Sequence, residues 1–356
     1  MVTEMKKMTP KERVIATFNR QPTDRLAVIS PTSVATVESM EAVGAAFPDA
    51  HTDAKTMAAL AATGHDLLGF DNVAPYFSVQ QEAAAFGAKM VWGKLDAMPA
   101  ILSHPFSEPE EFEMPEDFLE RPTIKTLLDS IRILRGKYGD EVAICGKVMG
   151  PWTLSYNLYG VDDFLTDLVI EPEKAKKFLQ AFKVVSITFA LAQIEAGADM
   201  ITWADHATGD MVSAKMYEEF LFPVHKQCML ELKGKMPHKV PIILHTCGKT
   251  LDRMPLLALA GFDAFHFDSK NDPAKAIDAV GDNLLLTGGI SNVNVLYKGS
   301  REDVKNHVTE VVGAGIPLIS PECAVPCRVK NENLRAIVET VEELSAKQSW
   351  KQVGNA

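Results

Sequence analysis

From residue 123 onward the chain repeats one pattern, a helix-length stretch followed by a short apolar run and a turn. A helix near 123–137 leads to the run Val142-Ala143-Ile144-Cys145-Gly146-Lys147. Helices near 161–169 and 172–196 lead to Asp199-Met200-Ile201-Thr202-Trp203-Ala204, and one near 214–233 leads to Val240-Pro241-Ile242-Ile243-Leu244. A short helix around 250–260 precedes the runs at 263–267, 283–287 and 316–320, and a last helix spans about 331–346. Strands alternating with helices pair in parallel through right-handed crossovers. Arg25-Leu26-Ala27-Val28-Ile29-Ser30 adds a strand at the front, which makes seven, and an eighth is expected between 66 and 92. Eight such units close a (β/α)8 barrel, for which roughly 250 residues suffice. The expectation is one TIM barrel domain over residues 1–356.

An N-terminal helical extension over about 1–25 is expected before it, with Thr9 as N-cap, Pro10 in the first turn and Glu12 following. Residues 35–44 and 53–64 also read as helical. The stretch 96–122 holds five prolines (Pro99, Pro105, Pro109, Pro115 and Pro122) and reads as a crossing loop. A formal charge of −11 argues against nucleic acid or an anionic membrane as partner. No apolar run reaches the roughly 18 residues of a membrane span, and Met1-Val2-Thr3-Glu4-Met5-Lys6-Lys7 lacks the apolar core of a signal peptide. Five cysteines, an odd number, point to a reducing compartment, hence a cytoplasmic protein.

In such a barrel, chemistry collects just past the C-terminal ends of the strands. Those positions hold Met149-Gly150-Pro151-Trp152, Asp205-His206, His245-Thr246-Cys247, Asp268, Gly288-Gly289 and Glu322-Cys323. Residues i and i+2 of an extended chain share a face, so His245 and Cys247 can turn toward one ion. Cys323 follows another strand end on the same rim. One imidazole and two thiolates suit Zn²⁺ and leave a fourth position open, as catalytic zinc requires. Asp268 is the candidate exchangeable ligand or proton acceptor. Cys327 is a possible substitute for Cys323, whereas Cys145 and Cys228 read as apolar fillers. Asp205 and His206 form an acid/base pair or a substrate anchor, although Asp205 as a helix cap explains the first equally. Gly288 and Gly289 can admit a ligand close to the backbone, and a tight turn explains them as well. Met149 stands at the same rim as a substrate contact. The remaining histidines (His51, His65, His104, His225, His238, His266 and His307) have no partner legible in the sequence and read as structural.

Four of these segments together, His245-Thr246-Cys247-Gly248, Asp268 after Gly261-Phe262-Asp263, Gly288-Gly289-Ile290-Ser291 and Pro321-Glu322-Cys323, resemble the zinc-dependent methylcobamide:coenzyme M methyltransferases of the uroporphyrinogen decarboxylase superfamily. The similarity extends through Glu38-Ser39-Met40-Glu41 to Pro48-Asp49-Ala50-His51-Thr52, so it covers nearly the whole chain. The resemblance implies a (β/α)8 barrel that moves a methyl group from a methyl-Co(III) corrinoid, carried by a separate small protein, to a zinc-activated thiol. It implies His245, Cys247 and Cys323 as ligands, an exchangeable carboxylate at Asp268, and Asp205 near the substrate or corrinoid. Two positions depart from the family pattern. Glu322-Cys323-Ala324 stands where Gly-Cys-Gly is common, and Asp268 stands where the family has Glu.

The same chemistry run from the other side would load a corrinoid protein from an O-, N- or S-methyl donor. Uroporphyrinogen decarboxylation ranks below both, because a substrate with eight carboxylates wants arginines near the N-terminus and residues 31–52 contain none. A corrinoid-ligating Asp-x-His-x-x-Gly run is absent, and Asp205-His206-Ala207-Thr208-Gly209 has the wrong first spacing. The corrinoid is therefore expected on a partner.

Overall fold

Ten strands organise residues 7–347, the part of the chain that the structure, a computed structural model, describes. They are β1 (Ala27–Val28), β2 (Asn72–Val73), β3 (Lys89–Val91), β4 (Ala100–Ser103), β5 (Ala143–Met149), β6 (Met200–Ala204), β7 (Ile242–Thr246), β8 (Ala264–Phe267), β9 (Leu285–Ile290) and β10 (Leu318–Pro321). Eight of them form one sheet in the order β1-β10-β9-β8-β7-β6-β5-β2, and every pair is parallel. This is the expected (β/α)8 barrel. The eighth strand, β2, lies inside the interval left for it.

The seam between β1 and β2 is closed largely by side chains. Asn72 accepts from the Ser30 N–H at 2.7 Å and donates to the Ser30 carbonyl at 2.9 Å, imitating a rung of ladder. Asp71 accepts from Val28 N at 2.8 Å, from Arg13 at 2.7 Å and from Arg25 at 2.8 and 3.0 Å.

Thr9 caps the first helix, Pro10–Phe18, through a reciprocal pair with Glu12 at 3.1 and 2.8 Å. Val14 and Phe18 of that helix pack with Ala27, Ile29, Ala143, Cys145, Met200, Ile243, Ala264, Leu285 and Leu318 in one buried cluster. These strand residues point inward, so the N-terminal helix plugs the floor of the barrel. The part of the extension before residue 7 lies outside the described residues. The other face of the strands packs on the helices in a larger core.

Two expectations are corrected here. The proline-rich stretch is not all loop, because β3 and β4 form an antiparallel hairpin. Pro99 and Pro105 bracket the β-capable run Ala100–Ser103 rather than interrupting it, so no ladder hydrogen bond is lost. The turn after Met149 is the start of a helix, Pro151–Leu158, with Pro151 in its first turn. Helices Pro273–Val280, capped by Asp272, and Arg301–Gly313, capped by Ser300, fill two crossovers the sequence reading left unassigned. The helix Pro172–Ala196 is long and apolar enough to cross a membrane, but 61% of its most apolar window is buried against the barrel. That burial is the habit of a core helix.

Candidate metal centre

β7 brings His245 into register with Ala204 on β6 and His266 on β8, and Cys247 follows one residue beyond the strand. Cys323 arrives from the end of β10. Three donor atoms meet there. His245 Nε2 lies 3.1 Å from Cys247 Sγ, the two sulfurs are 3.1 Å apart, and Cys323 Sγ is 3.4 Å from His245 Nε2. The other ring nitrogen, Nδ1, donates to the His266 carbonyl at 3.2 Å, which fixes the tautomer and leaves the Nε2 lone pair facing the sulfurs. The hydrogen bond between the two sulfurs pulls Cys323 well below the usual thiol range and pushes Cys247 up.

The donor set fits zinc. Bonds of about 2.3 Å to sulfur and about 2.0 Å to nitrogen set tetrahedral edges of roughly 3.5–3.8 Å. The triangle here needs only a slight opening to reach them.

A further donor comes from an unexpected side. His206, His245 and Cys247 offer ligand atoms within 4.8 Å of one another. Asp268, the expected fourth ligand, has both oxygens engaged by the backbone, accepting from Gly248 N at 2.8 Å and Lys270 N at 2.9 Å. Glu322 is engaged in the same way by Asn292 N at 2.7 Å and Ser269 N at 2.9 Å. These carboxylates brace the turns that carry Cys247 and Cys323.

Asp205 is fully buried and does not face the opening of the site. Its Oδ1 accepts from Thr153 N at 2.7 Å in the first turn of helix Pro151–Leu158, and its Oδ2 meets His225 Nε2 at 3.0 Å. His225 Nδ1 in turn meets the Tyr217 hydroxyl at 3.1 Å. Thr153 Oγ1 donates to Asp205 at 3.2 Å and accepts from the His206 backbone at 2.9 Å, so the 3.3 Å contact with His206 Nδ1 is an N–H donation. His206 then presents Nε2 as an acceptor. Burial, with His245 adding to it, holds this imidazole down at about 4, so it is neutral at pH 7. The sequence reading left Asp205 and His206 as an acid/base pair or substrate anchors, with Asp205 alternatively a helix cap; the structure inserts Thr153 between them, sets Asp205 Oδ1 on the first turn of helix Pro151–Leu158 and gives its other oxygen to His225, a histidine read as structural.

The two glycines answer to packing. A Cβ on Gly288 would lie 2.2 Å from the Phe267 carbonyl and one on Gly289 would lie 3.0 Å from the Phe267 ring, so both let β8 and β9 approach. Met149 is fully buried, with its N–H donating to Glu82 Oε1 at 2.9 Å.

Glu82, Tyr76, Lys147 and His51 are the residues the sequence reading missed. Lys147 left a sign as a lysine two positions from Cys145 inside an apolar run, and His51 as part of the segment that carries the family resemblance. Burial pushes the His51 imidazole down to about 4, with the Lys147 charge adding to it. A depressed folded value stabilises the native state above the unfolded value of 6.5, and that stabilisation is lost as pH falls toward 4. Between pH 7 and pH 4 this residue is expected to cost the ligand-free protein about 3 kcal/mol. Urea melts of wild type and His51→Phe across that range check it, with the shallower slope expected in the variant.

A family model for uroporphyrinogen decarboxylase matches residues 9–344. This chain belongs to the uroporphyrinogen decarboxylase family. Within that family, the methylcobamide:CoM methyltransferase MtbA of Methanosarcina acetivorans is 32% identical over 337 residues, 94% of this chain and 98% of the relative. A methylated-thiol–coenzyme M methyltransferase of Methanosarcina mazei is 29% identical over 345 residues, 96% of this chain and 91% of the relative. Among solved structures, a methyltransferase from Methanosarcina mazei superposes with a TM-score of 0.90 at 29% identity, covering 95% of this chain and 99% of that one. The uroporphyrinogen decarboxylase fold is thus shared from end to end with methyltransferases.

Proposed function

We propose that this family member transfers a methyl group between a methyl-Co(III) corrinoid, held on a small partner protein, and the thiol of coenzyme M, using zinc held by His245, Cys247 and Cys323. The observation that carries the reading is the triangle of donors at the C-terminal rim, with the His245 tautomer already set by the His266 carbonyl. The methyltransferase relatives support the reaction class.

When bound, zinc supplies the Lewis acidity that lets a thiol lose its proton near neutral pH. The protein's own groups do the rest. The thiol proton leaves to solvent, and His206 offers Nε2 as a neutral acceptor beside the donors, with Thr153, Asp205, His225 and Tyr217 holding the ring in that tautomer. The sulfur–carbon bond forms as the carbon–cobalt bond breaks, and both electrons of the broken bond stay on cobalt, leaving Co(I). Fixing sulfur, carbon and cobalt on one line supplies much of the acceleration. Two thiols 3.1 Å apart stay reduced in a reducing compartment, which favours the cytoplasm. The relative that acts on methylated thiols favours a second reading at the same site, in which a thioether donates its methyl to the corrinoid.

The test is methyl transfer from free methylcobalamin, followed by its visible spectrum, with coenzyme M, homocysteine or tetrahydrofolate offered separately. Turnover with coenzyme M in zinc-replete protein is the expected result. No turnover with any acceptor would refute the thiol-acceptor reading and favour the donor-side one.

A further inference from the structure

We infer that His206, rather than a carboxylate, is the fourth ligand of the zinc held by His245, Cys247 and Cys323, and that it yields this position to the incoming thiol. The inference rests on the proposed reading for the metal itself.

The backbone leading to His206 is stapled to the strand that carries His245. The β6–β7 ladder runs one rung past the end of β6, where Asp205 N donates to the His245 carbonyl at 3.0 Å. From the other direction, Thr246 Oγ1 donates to the Asp205 carbonyl at 2.7 Å. His206 is the next residue, and its own N–H donates to Thr153 Oγ1 at 2.9 Å. Its ring stands beside that of His245, with centroids 5.9 Å apart and planes at 88°. Donor atoms of His206, His245 and Cys247 all lie within 4.8 Å of one another. That is no more than about 1 Å beyond the edges zinc sets.

One nitrogen of the His206 ring is spent and the other is not. Nδ1–H points to Thr153 Oγ1 at 3.3 Å, and that hydroxyl gives its own hydrogen to Asp205 Oδ1 at 3.2 Å. Asp205 Oδ2 meets His225 Nε2 at 3.0 Å, so the relay ends in a buried, tethered carboxylate. Zinc-bound histidines characteristically give their second N–H to a carboxylate, a carbonyl or a water. Here a threonine passes it on. Among the described residues the lone pair of Nε2 has no partner.

The rivals for the position are occupied. Asp268 gives its two oxygens to Gly248 N and Lys270 N, and Glu322 gives its two to Asn292 N and Ser269 N. Turning either carboxylate to the metal would loosen the turns that carry Cys247 and Cys323, whereas His206 gives up no bond by reaching it. His266 puts Nε2 on the Pro321 carbonyl at 2.6 Å and lies against the His245 ring, centroids 4.5 Å apart. A neutral fourth ligand also suits exchange. Two thiolates cancel the charge of Zn²⁺, so the resting site is uncharged and a thiol gives up its proton to it more readily than to an anionic one. The zinc–nitrogen bond breaks as the zinc–sulfur bond forms, the thiol proton goes to solvent, and the site ends with one negative charge over three sulfurs.

Zinc K-edge X-ray absorption on the zinc-loaded enzyme counts these ligands, because imidazoles are recognised by scattering from their outer ring atoms. Wild type without thiol is expected to show two sulfurs and two imidazoles, and His206→Ala two sulfurs and one imidazole. Coenzyme M added to wild type should replace one imidazole by a third sulfur. A single imidazole beside two sulfurs in wild type would overturn the role of His206 and leave the proposed ligand set standing. Two imidazoles still counted after coenzyme M is added would overturn the exchange. Fewer than two sulfurs before any thiol is added would refute the ligand set of the proposed reading, and this inference with it. In chelator competition, His206→Ala is expected to hold zinc about 10-fold less tightly. Affinity equal to wild type, with unchanged circular dichroism, would also count against His206, and the wild-type spectra decide whether or not the variant folds.

Discussion

Cys323→Ala is expected to empty the metal centre and take activity with it. The sulfur lies 3.1 Å from Cys247 and 3.4 Å from His245, so its loss removes one thiolate and leaves His245 and Cys247 with His206 as the further donor in reach, a set without the charge that two thiolates give zinc. Removal of an outer partner of a metal ligand costs roughly 10–100-fold in affinity or activity, and removal of a ligand itself should exceed that. Cys247→Ala should behave the same way. Metal content by elemental analysis, read beside circular dichroism, separates loss of zinc from loss of fold. Zinc retained at full stoichiometry in both variants would mean that the ligand set is wrong.

The second large effect is on stability, at the opposite end of the barrel. Asp71 has no exposed surface and joins Arg13, Arg25 and the Val28 N–H across the seam between β1 and β2. Asp71→Ala would leave Arg25 without its buried carboxylate and Arg13 with Asp24 alone, and removing one partner of a buried ion pair costs about 3–5 kcal/mol. The seam also loses the amide acceptor that fixes β1. Urea unfolding should move to lower midpoint by that amount, with zinc content of the folded fraction unchanged. A shift under about 1 kcal/mol would show that the arginines find water when the acid is gone.

The barrel was legible because its evidence is local and repeated. Apolar runs such as 142–147 and 240–244, each followed by a helix, announce parallel strands without knowledge of any neighbour. β2 was legible only as a gap, since two residues carry no period, and β4 was hidden by the prolines that flank it. The metal triangle was half legible. His245 and Cys247 share one strand end, and Cys323 joined them through the rule that strand ends converge on one rim.

Other side chains were legible without their partners, for a common reason. Asp268 and Glu322 look like free carboxylates in a sequence, and their oxygens prove to be engaged by Gly248, Lys270, Asn292 and Ser269. Hydrogen bonds to backbone amides of other loops leave no mark on spacing. Gly288 and Gly289 were left open between a ligand and a tight turn, and what a side chain there would meet, Phe267 on the neighbouring strand, is visible only in the fold.

The sequence by itself determined the barrel, the family and the rim on which three zinc-competent residues meet, because periodicity and strand ends are properties of consecutive residues. Only the tertiary structure decided that Thr153 stands between Asp205 and His206, that His225 takes the other oxygen of Asp205, and that the Lys147 ammonium lies over the Tyr76 ring. Those facts depend on which side chains from distant segments satisfy one another. Burial makes each polar group account for its partners, and that accounting exists only once the chain has closed on itself.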